Sequence, residues 1–335
     1  MLTSVGRLER GNTIALVAKR DTTTIAASGL TFTADPAANA QVNADGSVKL
    51  LASGRVSIIA HATNESDTLD LNVAAPPTII VDRLAGTVRA IYRASLDGLD
   101  TVRISSGIHD DVMPTVASGA IVFTSFRDGN AELYSVPLAG GTETRLTATA
   151  ANETSPSLSP TAPKLAYVNN VSGFDRLWMS ASNGGGAAPA TNTQSSDIEE
   201  NPRWNPSGDK IVFVSTAAGS ASLYLLTPAS GAIAALTAGA APNVDPAWSF
   251  DGATIVFFSA RSSAPGLYLY SSATNTATLL FAAGDVGQPS FLRDGRVVFT
   301  RFATNGSRLQ WIDPADPTTV HEVGLTGSPA HAVTP

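Results

Sequence analysis

The chain is predicted to be all-β, and three observations in its 335 residues support that prediction. Short β-rich runs recur at a nearly fixed spacing along most of the chain. Asp-Gly and Ser-Gly turns, which supply the backbone conformations that tight hairpins need, separate these runs. No stretch shows a long apolar period of the helical kind, so few helices are expected.

The composition is that of a folded, turn-rich protein. Apolar residues make up 43% of the chain and charged residues 15%, with 28 Gly and 20 Pro, which argues against global disorder. The net charge of −7 and the pI near 5.1 disfavour nucleic acid and anionic membrane surfaces as partners. The absence of Cys excludes disulfides, thiolate metal sites and a Cys nucleophile.

Localisation is left open by the residues themselves. No apolar run has the length of a transmembrane segment, and the first residues, MLTSVGRLERG, lack the apolar core of a signal peptide. Two interpretations fit: the protein stays inside the cell, or its chain starts after a removed leader.

Residues 1–75 form a first predicted domain that differs from the rest. The alternation in VSIIAHA and LDLNV indicates strands with one buried face. The order VNADG (42–46) followed by GRV (54–56) resembles bacterial Ig-like domains of group 2, which implies a small β-sandwich, truncated at its first strand. The sequence AAPP (74–77) is a short, stiff linker to a second domain, predicted over residues 76–335.

The second domain carries an internal repeat with two markers. The first marker is an apolar pair at steps of 42 to 46 residues: Ile91-Tyr92, Leu133-Tyr134, Leu177-Trp178, Leu223-Tyr224, Leu267-Tyr268 and Leu309-Gln310. The second is a proline at steps of 40 to 46 residues: Pro114, Pro156, Pro202, Pro246, Pro289 and Pro329. Each unit holds four short β-rich runs, which is the spacing of a propeller blade.

The two ends of the repeat complement each other. Segment 78–105 matches the last three strands of a unit, whereas residues 328–335 supply only a first strand. Together they make one blade, which predicts a six-bladed β-propeller closed by a C-terminal strand that joins the first blade. Closure removes exposed sheet edges, which is the physical reason for such a shared blade.

The repeat resembles the TolB-type β-propeller of bacterial envelope proteins. The matching segments are SFRDGNAELYSVPLAGGTETRLT (125–147), NPRWNPSGDKIVFVS (201–215) and DPAWSFDGATIVFFS (245–259). This resemblance covers about 78–335 and implies a propeller that acts in the envelope.

Acidic residues recur in the connections that lead into the first strand of each unit. The predicted partner-binding set at the channel mouth is Asp110, Asp111, Glu153, Asp197, Glu199, Glu200, Asp245 and Asp285. One interpretation is an acidic mouth that attracts a basic peptide, a partner loop or a cation. The other is structural, because an acid ahead of the Pro accepts hydrogen bonds from an adjoining blade.

A divalent metal in the channel is a separate hypothesis. His331 falls on a first strand, and His109 enters the neighbouring blade, so both are candidate ligands. Oligogalacturonate lyases, to which the resemblance extends, hold a metal with several His, and two candidates are too few for that activity. No Gly-x-Ser-x-Gly nucleophile motif is present, so a prolyl-peptidase-like activity is not predicted either.

The sequence thus favours a non-enzymatic scaffold that binds a protein or peptide partner. We expect a monomer that is periplasmic, outer-membrane-anchored or extracellular, with no cofactor required. The first alternative is a carbohydrate-binding or polysaccharide-processing module, which needs exposed aromatic residues and a channel metal. The second is a surface protein in which both domains act as spacers. The recurrence of Trp204, Trp248 and Phe291 at one blade position indicates packing between blades rather than a sugar platform.

Overall fold

The computed structural model describes residues 1–192 and 197–335. The chain divides into two compact units, Met1–Pro77 and Thr78–Pro335. Among the described residues the only helices are two single 3₁₀ turns, Ala27–Gly29 and Ala37–Asn39. The same part of the chain contains no helix of the length and apolarity that a membrane crossing requires.

The first unit consists of two antiparallel sheets packed on one core. Its strands are β1 (Leu2–Val5), β2 (Thr13–Arg20), β3 (Thr23–Ile25), β4 (Thr31–Asp35), β5 (Ala40–Val42), β6 (Ser47–Leu50), β7 (Gly54–His61) and β8 (Ser66–Val73). One sheet has the order β1-β2-β6-β5 with β3 paired to β2, and the other has the order β4-β7-β8. Val56, Ile58 and Ala60 of β7 are buried in alternation, as the sequence pattern predicts.

The second unit contains six four-stranded antiparallel sheets in its described residues. The first three sheets contain β9 (Thr78–Ala85), β10 (Val88–Ser95), β11 (Thr101–Arg103); β12 (Asp111–Ala117), β13 (Ala120–Ser125), β14 (Glu132–Pro137), β15 (Thr144–Arg145); and β16 (Glu153–Leu158), β17 (Lys164–Asn169), β18 (Arg176–Ala181), β19 (Ala188–Pro189). The next two contain β20 (Glu199–Trp204), β21 (Ile211–Ser215), β22 (Ser222–Thr227), β23 (Ala232–Ala235); and β24 (Asn243–Trp248), β25 (Thr254–Ser259), β26 (Gly266–Ser271), β27 (Thr276–Ala282). The last contains β28 (Val286–Phe291), β29 (Val297–Ala303), β30 (Gly306–Asp313) and β31 (Asp316–Glu322), and β32 (Ala330–Val333) follows it.

The C-terminal strand completes the first sheet, whose order is β11-β10-β9-β32. Ala330 lies opposite Asp82 and Val333 lies opposite Ile80 in an antiparallel pair. The predicted pairing of the chain's tail with the strand that begins at Thr78 is therefore present. The use of Pro329 as the sixth repeat marker was wrong, because Pro329 precedes β32 and Ala332 occupies the position of the repeated proline.

The first strands of the six sheets form a ring. β12 contacts β16, β16 contacts β20, β20 contacts β24, β24 contacts β28, and β32 contacts both β28 and β12. The first strands therefore surround a central channel, and the later strands of each sheet lie progressively further from it. This is the arrangement of a β-propeller.

The apolar core lies between neighbouring sheets. Ile80 and Ile91 of the first sheet pack in one cluster with Phe123 and Tyr134 of the second. The Phe123 and Tyr134 rings stack with centroids 6.2 Å apart, and equivalent Phe-Tyr pairs recur in a tilted arrangement in the fourth and fifth sheets. The recurring aromatic residue that marks the repeat in the sequence is thus a packing residue between sheets.

Candidate functional site

Each first strand contains a β-bulge close to its start. The pairing of first and second strands shifts register there in all six sheets. The bulge residues have φ between 48° and 55°: Met113, Ser155, Asn201, Asp245, Gln288 and His331. Positive φ is uncommon outside glycine, and a bulge also tolerates the proline that follows five of these residues, because no ladder N–H is lost. All six bulge residues line one cavity.

Asp245 joins three of these sheets. Its Oδ1 accepts a hydrogen bond from the Asn201 side-chain amide at 2.8 Å, and its Oδ2 accepts one from the Gln288 backbone N–H at 3.0 Å. Both carboxylate oxygens of this predicted site residue are therefore engaged inside the channel, where they connect the sheets that contain β20, β24 and β28.

His331 continues this ring across the closing strand. Gln288 Oε1 accepts from the His331 backbone N–H at 3.3 Å, so its amide nitrogen donates to His331 Nε2 at 2.6 Å. The proton of the ring then lies on Nδ1, which donates to Asp82 Oδ2 at 2.7 Å. Asp82 is fully buried and also accepts from Arg89 Nε at 2.5 Å and from the Met113 backbone N–H at 3.1 Å.

The two predicted metal ligands differ in their surroundings. Both ring nitrogens of His331 have hydrogen-bond partners, whereas His109 is exposed in the connection before β12. Within residues 1–192 and 197–335, no group of three or more His, Asp or Glu side chains is placed to hold a metal ion. The metal hypothesis stays a prediction.

Three of the predicted acids open their strands and are buried: Asp111, Glu153 and Glu199. Asp111 forms an ion pair with Arg127 at 3.0 Å. Glu199 accepts hydrogen bonds from the Leu177 backbone N–H at 2.9 Å and from the Thr191 hydroxyl at 2.6 Å. Leu177 belongs to the preceding sheet, so Glu199 makes the contact between blades that the structural interpretation predicts.

Glu153 belongs to a buried pair of carboxyl groups. It accepts hydrogen bonds from Thr149 at 2.7 Å and Asn169 at 2.6 Å, and its partner Glu132 lies in the preceding sheet. Burial raises the pKa of Glu153 to about 7, and Glu132 adds to the shift. The pKa of Glu132 is lowered against the effect of its own burial, because several groups, among them Arg145, donate to it. Of the two carboxyl groups, Glu153 is therefore the one that takes up a proton first as the pH falls toward neutral.

The other acids of the set lie at the surface of the same end of the channel. Asp110, Glu200 and Asp285 are exposed and Asp197 is partly exposed. Asp285 pairs with Arg301 at 3.0 Å. The pKa of Glu200 is raised by desolvation and by the negative charges of Asp175 and Asp245.

We use the name acidic face for the end of the channel that carries these connections. In an antiparallel sheet, the connection into the first strand and the connection between the second and third strands lie at the same end. Backbone hydrogen bonds join the two, for example from Phe126 to Asp110 and from Phe302 to Asp285. The acidic face also exposes large apolar side chains: Ile108, Phe126, Val171, Phe174, Ile198 and Phe302.

The opposite end of the channel opens into a cavity of about 390 Å³, which we name the cavity end. The bulge residues form its floor, and its wall continues through the last residues of the first strands into the hairpins that follow. Of the predicted site residues only Asp245 and His331 line it. Sequence reasoning missed Arg203 and Arg293 here and placed Trp248 between blades only. In the sequence, the residue just before each repeated proline is the bulge residue at the floor of this cavity.

Comparisons with known proteins agree with this architecture. The family model PD40, described as the TolB beta propeller domain, matches residues 155–328, a little over half of the chain. The search of curated proteins found no match. The crystal structure of TolB from Acinetobacter baumannii is similar with a TM-score of 0.69 and 18% identity, over 91% of this chain and 82% of that one.

Two further solved structures share the fold. A putative TolB from Agrobacterium tumefaciens has a TM-score of 0.62 and 17% identity, over 76% of this chain and 90% of that one. An oligogalacturonate lyase from Vibrio parahaemolyticus has a TM-score of 0.52 and 13% identity, over 91% and 98%. At these identities the likeness concerns the fold alone.

Proposed function

Because the chain belongs to the family of TolB β-propeller domains, we propose that it is a non-enzymatic protein-interaction scaffold of the bacterial envelope or cell exterior. In this proposal the six sheets are the six blades of one closed propeller, and the first unit is an Ig-like sandwich that acts as a spacer. The chain is a periplasmic, outer-membrane-anchored or extracellular monomer, and its partner is a protein or peptide with basic residues.

The observation that carries the proposal is the composition of the acidic face. Exposed large apolar side chains are costly in water, and here they stand in connections that also hold exposed carboxylates. Ile108 is 71% exposed and Val171 is 65% exposed, so their apolar surface is free to be buried by a partner. Loops on a rigid scaffold that combine apolar contacts with charge are typical of recognition surfaces.

The negative charge of the acidic face favours a partner with positively charged residues. Glu200 lies near Asp175 and Asp245, and mutual repulsion among these carboxylates contributes to the raised pKa of Glu200. A Lys or Arg of a partner relieves this repulsion on binding and steers the encounter. Asp111, Glu153 and Glu199 have no direct part in this contact, because they are buried and already engaged with neighbouring groups of the propeller.

The test places a photo-crosslinking amino acid at one position of the acidic face at a time, Phe126, Phe174 or Ile198. Irradiation in the native envelope fraction is expected to give one adduct of the same partner from these positions. A matched control puts the crosslinker at Leu279, which is 47% exposed on the outer strand β27. We expect no such adduct there, and we expect Glu200→Lys to reduce the adduct at Ile198 by about tenfold, the effect of one lost contact of 1.4 kcal/mol.

Two outcomes count against the proposal. One is the same set of adducts from Leu279 as from the acidic face, which indicates non-specific capture or a spacer role. The other is no adduct at the acidic face together with a positive glycan array and a bound metal, which supports the carbohydrate-binding alternative.

A further inference from the structure

The cavity end holds a guanidinium without a carboxylate partner. Arg203 lines the cavity and donates one hydrogen bond, from Nη1 to the Pro202 carbonyl at 2.8 Å. Across the described ranges it makes no ion pair. A guanidinium carries five N–H donors, so most of its hydrogen-bonding capacity is left for a ligand. Burial lowers the pKa of Arg203, and the negative charge of Asp245 opposes this shift.

The charges around Arg203 favour an anion of a single charge. The titratable side chains among the described lining residues are Arg203, Asp245, Arg293 and His331. Both ring nitrogens of His331 are engaged, by Gln288 and by Asp82, and the charge of Asp82 is matched by Arg89. The described lining thus carries two guanidinium groups and one carboxylate, and Arg293 already donates from Nε to the Pro335 carbonyl at 2.7 Å. A monoanion balances the charge of this lining. A dianion would leave an excess negative charge beside Asp245.

Aromatic residues also line this cavity. The Trp248 indole N–H donates to the Arg203 carbonyl at 3.2 Å, which fixes the indole against the strand that carries the guanidinium. Phe250 is 39% exposed at the rim, with the Arg293 guanidinium 4.7 Å from its ring centroid. A flat apolar group between these rings would place an attached anion toward the channel floor. A cavity of this size holds a small molecule or one residue of a peptide.

We propose that the cavity end binds an organic monocarboxylate with a flat apolar body, its carboxylate on the free N–H groups of Arg203 and its body between Trp248 and Phe250. Planar carboxylates match the fork of a guanidinium in a bidentate pair. This inference does not rest on the proposed function, because the cavity lies at the other end of the channel from the acidic face. A free aromatic acid and the C-terminal residue of a peptide offer the same chemistry.

The test titrates the full chain with 4-fluorobenzoate and follows the ligand by ¹⁹F NMR. We expect one saturable site, weakened about 10- to 100-fold by Arg203→Gln, the effect of losing charge-assisted hydrogen bonds. Arg301→Gln is the matched control: it removes an arginine from the acidic face and is expected to change affinity less than about twofold. A short peptide that ends in Phe with a free carboxylate, compared with its amide, separates the two sources of carboxylate.

Several results would overturn this inference. They are the absence of saturable 4-fluorobenzoate binding to the native chain at millimolar concentration, equal affinities of the native chain and Arg203→Gln, and tighter binding of inorganic phosphate than of 4-fluorobenzoate. If Arg203→Gln does not fold, hydrogen exchange of the native chain decides. In that experiment 4-fluorobenzoate must slow amide hydrogen exchange in residues 201–206 and 245–250. Equal slowing at the acidic face would contradict a binding site at the cavity end.

Discussion

The two ends of the channel are built from the same repeated strands and differ in chemistry. At the acidic face the exposed groups are carboxylates and apolar side chains on connections. At the cavity end, Arg203, Arg293 and aromatic residues line the cavity, and Asp245, the one carboxylate among the described lining residues, already accepts two hydrogen bonds. The difference shows that the repeat dictates the backbone, bulge included, while the side chain at each bulge is free to vary. The same repeated strands can therefore carry carboxylates at one end of the channel and guanidinium groups at the other.

The largest expected difference in the free energy of unfolding is between variants of Asp82, a buried carboxylate beside the channel, and Asp285, an exposed carboxylate of the acidic face. Asp82→Ala leaves Arg89 without its ion-pair partner in a part-buried site, so we expect a loss of about 3–5 kcal/mol in the free energy of unfolding. Asp285→Ala breaks the exposed pair with Arg301 and is expected to cost less than about 1 kcal/mol. Urea unfolding followed by tryptophan fluorescence measures both, since all four Trp lie in the second unit. Equal losses would contradict the contrast between the buried and the exposed carboxylate.

The next prediction compares Glu153, a buried acid at the start of a strand, with Asp110, an exposed acid just before one. The pKa of Glu153 is about 7 in the folded state, above its ordinary value of 4.5, so the folded chain holds an extra proton between these pH values. Stability is therefore expected to fall as pH rises from about 5 to about 8, by about 1–3 kcal/mol. Glu153→Gln, which imitates the protonated form, is expected to remove this slope.

The control for that measurement is Asp110→Asn, which changes an exposed acid and is expected to keep the slope of the native chain. Urea unfolding at several pH values gives both slopes. A Glu153→Gln variant with the native pH dependence would show that the buried pair does not share a proton.

The smallest expected effect concerns the bulge ring that separates the two ends. Ser155 has a φ of 50°, so Ser155→Ala keeps a strained backbone and loses the hydroxyl, whereas Ser155→Gly relieves the strain. We expect the glycine variant to be more stable than the alanine variant by about 1 kcal/mol. An alanine variant at least as stable as the glycine variant would argue against the left-handed bulge. Thermal unfolding of the pair measures the difference.

The fold followed from the sequence further than the site did. The period, the turns and the pairing of the tail with the strand at Thr78 are local or nearly local patterns, and the structure contains them. The use of Pro329 as a repeat marker failed because this proline, three residues before the equivalent position, still fits the repeat spacing. Only the strand register identifies Ala332 as the equivalent residue. Glu199 and Glu200 are neighbours in the chain, yet one is buried and the other exposed, because successive strand residues point to opposite sides.

The cavity end could not be predicted for a different reason. Arg203, Trp248 and Arg293 come from three consecutive sheets and line one cavity only when these sheets pack around the channel. No spacing in the sequence encodes such a meeting. The repeated proline did mark the right strands, and the residue before it marks the bulge, but the sign of φ and the inward aim of the side chain depend on tertiary packing.

The most direct test concerns ring closure, because both ends of the channel exist only if β32 pairs with β9. The chain has no Cys, so a variant with Ile80→Cys and Val333→Cys contains a single possible intrachain disulfide. These residues lie opposite each other in the pair, within reach of a disulfide. The account predicts that mild oxidation of the folded variant forms this bond quantitatively, as mass spectrometry of the alkylated chain shows. The control is a variant with Leu84→Cys and Val333→Cys. Leu84 lies about 13 Å along β9 from Ile80, the residue opposite Val333, so no bond is expected in the control. A folded Ile80→Cys, Val333→Cys variant that stays reduced, or oxidises no faster than the control, would contradict the closed ring.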